Sequence, residues 1–95
     1  MKIFKWALET KDSQVIEMPA GAVILSLQMQ HGMPHIWALV DESKDNEKRA
    51  FVTYGAGNRM PENPGAYIGT YQLDFGAFVF HVFEKITTQQ KHNNV

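Results

Sequence analysis

Apolar and polar residues alternate over short runs along most of the chain, and turn residues break the runs at close intervals. Alternation of period two reads as half-buried β-strand, whereas a helix would repeat its apolar positions every three to four residues. Residues 2–9 (KIFKWALE) open with β-formers. Gln14–Met18 is a second run, bounded by Lys11-Asp12-Ser13 and Pro19-Ala20-Gly21. In residues 22–31 (AVILSLQMQH) the odd positions Val23, Leu25, Leu27 and Met29 are all apolar. The even positions pass from Ala22 and Ile24 to Ser26, Gln28 and Gln30. The expectation is a strand whose odd face packs on a core.

Gly32-Met33-Pro34 is the expected hairpin connection to a fourth strand over residues 35–41 (HIWALVD), followed by a charged loop, Glu42–Lys48. A fifth strand spans Arg49–Gly55, and an irregular stretch rich in Gly and Pro runs from Ala56 to Gly65. The sixth strand covers residues 66–73 (AYIGTYQL), Asp74-Phe75-Gly76 is a tight turn, and the seventh strand covers residues 77–84 (AFVFHVFE). With about seven short strands and connections mostly too short for crossovers, the fold class is all-β and antiparallel, a small sandwich or partly open barrel. Residues 1–86 form the single domain, and residues 87–95 read as a polar disordered tail. The seventh strand is apolar on both faces, with Ala77, Val79, His81 and Phe83 on one and Phe78, Phe80, Val82 and Glu84 on the other. A monomeric antiparallel sheet should have one polar face, so this strand predicts a covered barrel wall or a homo-oligomer.

Composition narrows the function classes. The chain has 95 residues, room for one core. Nine Lys+Arg against ten Asp+Glu give a net charge of −1, which excludes nucleic-acid binding through a general basic surface. Without cysteine there is no disulfide, thiolate metal site or cysteine nucleophile. No apolar run reaches the ~20 residues of a membrane helix, and the N-terminus does not read as a signal peptide. Six Phe, three Tyr, two Trp and five Met are a heavy apolar load for so small a core, which predicts an exposed binding face or a partner subunit.

The candidate chemistry concentrates in two stretches. Tyr54-Gly55-Ala56-Gly57-Asn58-Arg59 places two glycines after a strand, where backbone amides can cradle an anion, with Arg59 as a bidentate fork and Asn58 as a neutral donor. The competing reading is a plain glycine-rich connector, because the third glycine or Lys-Ser/Thr of a phosphate loop is missing and no helix follows. Tyr67-Ile68-Gly69-Thr70-Tyr71 carries a glycine inside a strand, which implies a bulge or a close backbone approach. By period two, Tyr67 and Tyr71 share a face with Gly69 and leave an aromatic notch, and Trp37 is a candidate second stacking wall. The bland alternative is a glycine that relieves crowding between two core tyrosines. His31 and His35 flank the third turn without the further ligands a metal site needs, and His81 has no sequence neighbour to orient it as a base. No catalytic residue, metal or cofactor is expected.

The words EMPAGAVILSLQMQHGMPHIWALVD, YGAG, YIGTYQL and FVFHVFE together resemble a family of small uncharacterised proteins encoded by tailed bacteriophages. The resemblance spans about Lys2 to Glu84. It rests on Met18, Pro19, Gly21, Ala22, Ile24, Leu25, Ser26 and Gln28, on Trp37–Asp41, and on Tyr67–Thr70 with Gln72. Ala56 stands where the family has Thr. The resemblance implies a phage protein acting in the cytoplasm of the infected bacterial host, in the class of host-takeover and counter-defence factors. The leading expectation is a non-enzymatic, homo-oligomeric protein that sequesters a small anionic, nucleotide-like immune signal. Its site would comprise Trp37, Tyr54, Gly55, Gly57, Asn58, Arg59, Tyr67 and Thr70. The alternative is a protein–protein inhibitor of a host defence protein, acting through an apolar patch of Phe75, Phe78, Phe80, Met29, Met33 and Met60.

Overall fold

A computed structural model describes residues 1–85. Among these, seven strands form two antiparallel sheets, as the alternation predicts. They are β1 (Lys2–Ala7), β2 (Ser13–Pro19), β3 (Val23–Gln30), β4 (Met33–Val40), β5 (Asn46–Gly55), β6 (Ala66–Leu73) and β7 (Phe78–Glu84). One sheet, here sheet A, has the order β1-β4-β3, and the other, sheet B, has the order β2-β5-β7-β6. The connections after β1, β2 and β4 each cross from one sheet to the other, which makes a sandwich. No helix among the described residues is long and apolar enough to cross a membrane. The expected polar tail begins beyond the described residues.

Strand pairing assigns the faces. In β4, Pro34, Ile36, Ala38 and Val40 point inward and His35, Trp37 and Leu39 point outward. Sheet B answers with Phe51, Val82 and Tyr71, and Met18, Leu8 and Ala22 close the core from the strand ends and connections. Burying each large apolar side chain contributes about 1.5–3 kcal/mol. Tyr71 is 3% exposed, and its hydroxyl shares a 2.8 Å hydrogen bond with Thr10 Oγ1, so the buried oxygen is satisfied.

Two bulges correct the period-two reading. In β3 the register shifts between Ile24 and Ser26. Ile24 therefore packs on the core before the shift and Leu27 after it, while Val23 and Leu25 lie about half exposed. The wholly apolar odd face does not exist as one face, because an extra residue in one strand inverts the side-chain parity beyond it. In β6 the shift falls between Tyr67 and Gly69. Tyr67 is thereby exposed and Tyr71 buried, so the two tyrosines do not share a face and form no notch.

Gly69 fulfils both of its expected roles, since it adjoins the bulge and lies at a close approach. A Cβ added there would stand 2.9 Å from Leu27 Cβ, where β3 and β6 meet at a corner of the sandwich. Loop ends are also tied. Arg49 donates through Nε and Nη2 to the two oxygens of Glu84, and through Nη1 to Ala22 O at 2.9 Å. Both side chains of this pair are only 12% exposed, and the Glu84 hydrogen bonds push the guanidinium pKa up from its ordinary value. The fork holds β5 to β7 and anchors the β2–β3 turn, whose Gly21 N also donates to Glu47 Oε2 at 2.9 Å. The first hairpin turn is His31-Gly32, both at positive φ, with Met33 and Pro34 already inside β4.

Two substitutions test this packing. Gly69→Ala places a methyl against Leu27 and lowers stability by about 1–3 kcal/mol, read as a lower denaturant midpoint at unchanged slope. Thr53 Oγ1 is buried without a hydrogen-bond partner, so Thr53→Val raises stability by about 1 kcal/mol in the same measurement.

Candidate functional site

The outer face of sheet B gathers part of the predicted site. Tyr54 on β5 and Thr70 on β6 both pair with His81 on β7 and form one cross-strand row. Val52 and Tyr67 flank Phe83 in the next row. The Phe83 ring is held edge-on between Tyr54, 5.9 Å away at 71°, and Tyr67, 5.4 Å away at 63°. These contacts explain why β7 is apolar on its outer side: it is central in the sheet, and aromatic neighbours half cover Phe83.

A polar chain crosses this aromatic ladder. Tyr67 Oη shares a hydrogen bond with Thr70 Oγ1, which lies 2.8 Å from His81 Nδ1. The β6 bulge creates the chain, because it turns Tyr67 and Thr70 to the same side although they are three positions apart. His81 has no partner among its sequence neighbours for that reason: its partner lies eleven positions back, on a neighbouring strand. The arrangement offers a flat, amphipathic surface with two hydroxyls and an imidazole. Among the described residues no group of three or more His, Asp or Glu side chains is placed to hold a metal ion.

The glycine stretch sits at one end of this sheet. Ala56 N donates to Val79 O at 2.9 Å and Asn58 N to Gly55 O at 3.1 Å, so two of its amides are already used by the main chain. The Asn58 side chain folds back to within 2.9 Å of where a Gly55 Cβ would stand, on the core side of the strand. This geometry is a closed turn with Gly57 in the left-handed region, and it takes up two of the amides that the anion-cradle reading draws on. Arg59 is exposed on the following loop. Trp37 lies apart from all of these, on the outer face of sheet A, where its ring lies 5.6 Å from that of His35, tilted by 46°. As a wall for Tyr67 it fails, since the whole sandwich lies between them.

A second feature occupies the β6–β7 hairpin. Asp74, Phe75 and Gly76 all have positive φ, closed by Gly76 N to Leu73 O at 3.2 Å and Ala77 N to Asp74 O at 3.0 Å. Asp tolerates this backbone, but Phe at φ 53° does not, and the conformation costs roughly 1–2 kcal/mol. Phe75 is also fully exposed. Leu8 N to Pro34 O and Thr10 to Tyr71 link this end of sheet B to the β3–β4 turn of sheet A. Phe78, which opens β7 after the turn, is 56% exposed, and elsewhere on the surface Met29, Met33 and Met60 are 40–45% exposed. Phe80, expected in the same patch, instead packs partly buried against the core, 5.4 Å from Tyr71.

The chain belongs to the DUF7352 family. The family model, described as a domain of unknown function, matches residues 1–93. No curated protein and no solved structure matches the chain. The DUF7352 match supports an uncharacterised-domain family over nearly the whole chain and carries no chemistry of its own, so the function of this DUF7352 domain rests on its surfaces.

Thr70→Val removes both bonds of the polar chain. It changes the His81 ring-nitrogen shifts in ¹⁵N NMR, while global stability falls by no more than about 1 kcal/mol at this exposed position. Unchanged His81 nitrogens would contradict the chain.

Proposed function

We propose that this chain is a non-enzymatic binding module that docks a protein partner through the hairpin end carrying Phe75. The single observation behind the reading is Phe75 itself. A fully exposed aromatic ring on a left-handed backbone adds nothing to the core and strains the chain, and such outliers concentrate at functional sites. The half-exposed Met29, Met33 and Met60 are side chains of the adaptable kind that protein recognition favours. The resemblance to phage-encoded proteins supports a partner in the infected bacterial cytoplasm, a host defence protein being the natural target.

A second reading is favoured by the Tyr67–Thr70–His81 chain beside Tyr54 and Phe83. These groups suit stacking and hydrogen bonding to a nucleotide-like ligand, with Arg59 as its counter-ion, and would serve to sequester an anionic signal. The used amides of the glycine turn weigh against it.

Phe75→Gly separates the two. It relieves the left-handed strain and raises stability by about 1 kcal/mol, while recovery of the partner that cross-links to a photoreactive group at position 75 drops at least ~10-fold. Retained recovery after Phe75→Gly, together with saturable heat on titrating cyclic dinucleotides, would replace the first reading with the second.

A further inference from the structure

Four strands form the edges of the two sheets, and three of them are closed to further pairing. β3 and β6 carry the bulges and meet each other at the corner of the sandwich. β1 holds Lys2 and Lys5 within six residues, and edge lysines oppose the docking of another strand. β2 has none of these devices. It contains no Lys or Arg, pairs with β5 over seven consecutive residues without a shift, and meets proline only at its last position. We propose that β2 is the site of self-association: two copies of the chain join antiparallel through their β2 edges, and the two four-stranded sheets B become one continuous sheet.

Hydrogen-bond parity fixes which groups are free. Thr53 N donates to Asp12 O at 3.0 Å and Ala20 N to Asp45 O at 2.8 Å, just outside the two ends of the β2–β5 ladder. Bonded positions alternate along an antiparallel pair, so the even residues of β2 bond to β5. The amides and carbonyls of Ser13, Val15 and Glu17 point away from the sheet, and none of them has a partner among the described residues. The free window closes at Pro19, which has no N–H and whose carbonyl already accepts from Ala22 N at 3.1 Å. At the other end the chain leaves the strand before Ser13.

This window selects a second copy because it is complementary to itself. A two-fold contact centred on Val15 sets Val15 against Val15 and Ser13 against Glu17 of the other copy. Every free amide then meets a free carbonyl, with both bonds made at each facing pair. A slip of two residues sets Ser13 against Pro19, or Glu17 against Lys11 outside the strand, and loses bonds either way, so the strand itself fixes the register. Charge agrees with it. Glu17 is the only ionised side chain of β2, and it faces a serine hydroxyl rather than a second carboxylate. Val15, 60% exposed on the outer face, gains an apolar neighbour in its own counterpart. The contact rests on main-chain bonds and one valine pair, so it is weak and reversible. The copies run antiparallel, which leaves the Phe75 hairpins at opposite ends of the joined sheet and makes the association independent of the proposed partner.

Val15→Cys reads the seam directly, because the chain has no other cysteine. Facing residues of a hydrogen-bonded antiparallel pair have Cα atoms about 5.5 Å apart, within the range of a disulfide. Mild oxidation of Val15→Cys gives a covalent dimer in at least ~10-fold the yield of Val23→Cys. Val23 is comparably exposed, on the outer face of sheet A in a row with Ile3 and Leu39. In sedimentation equilibrium the mass of the unchanged chain rises from one copy towards two between about 10 μM and about 1 mM. Val15→Pro abolishes the rise. Its amide faces away from β5, so proline costs β2 no ladder bond and far-UV circular dichroism stays that of the parent. Val15→Lys, which sets two ammonium groups across the two-fold axis, abolishes it without altering the backbone. A chain that stays single over the whole range overturns the proposal. So does equal cross-linking at positions 15 and 23, or a dimer that persists in Val15→Lys.

Discussion

The two sheets meet along β3 and β6 only because residue 69 has no side chain. At the corner, the Gly69 backbone lies against Leu27, where even a methyl group would stand 2.9 Å from Leu27 Cβ. Both residues owe their inward positions to bulges, one in β6 before Gly69 and one in β3 before Ser26. A bulge turns every later side chain to the other face, so the pair decides which apolar residues enter the core and which remain outside. The core of Ile36, Val40, Phe51 and Val82 fills behind this corner, and the Arg49–Glu84 fork holds the β2–β3 turn to sheet B.

The bulges also decide which side chains the two outer faces present to solvent. In β6 the shift places Tyr67 and Thr70 on one side, in reach of His81, and it sends Tyr71 into the core. In β3 it exposes Val23 and Leu25. A domain this small buries little over ~60% of its unfolded surface, so apolar groups in excess of the core must face something. Here they divide into an aromatic and hydroxyl-bearing face on sheet B, an aliphatic row on sheet A and a hairpin end around Phe75. Of the three, only the hairpin combines exposure with backbone strain, which is why it carries the functional reading.

The architecture was legible because strand formation depends on local alternation and on turn residues, and both are written into short windows. Tyr54, Thr70 and Tyr67 were legible as site candidates for a similar reason, since each is a polar aromatic or hydroxyl residue on a strand beside a glycine. The faces were not legible. Leu25 and Leu27 share an odd parity in sequence yet separate in space, and nothing local marks where an extra residue leaves the ladder except Gly69 in β6. Sequence carries no distance between sheets, so nothing in it separates Trp37 from Tyr67. The Ala56 and Asn58 amides on either side of Gly57 read as free in sequence because their acceptors, Val79 O and Gly55 O, come from a strand and a turn that only the fold brings together.

The central claim is that the bulges set the faces, and the most direct measurement is side-chain proximity in solution. Isotope-labelled protein in a nuclear Overhauser experiment should link the Gly69 α-protons to the Leu27 methyls. It should also show no link from the Leu25 methyls to the core side chains of Ile36, Val40 or Tyr71. Contacts from Leu25 to those residues, with none between Gly69 and Leu27, would mean that the alternation runs unbroken through β3 and would contradict the account.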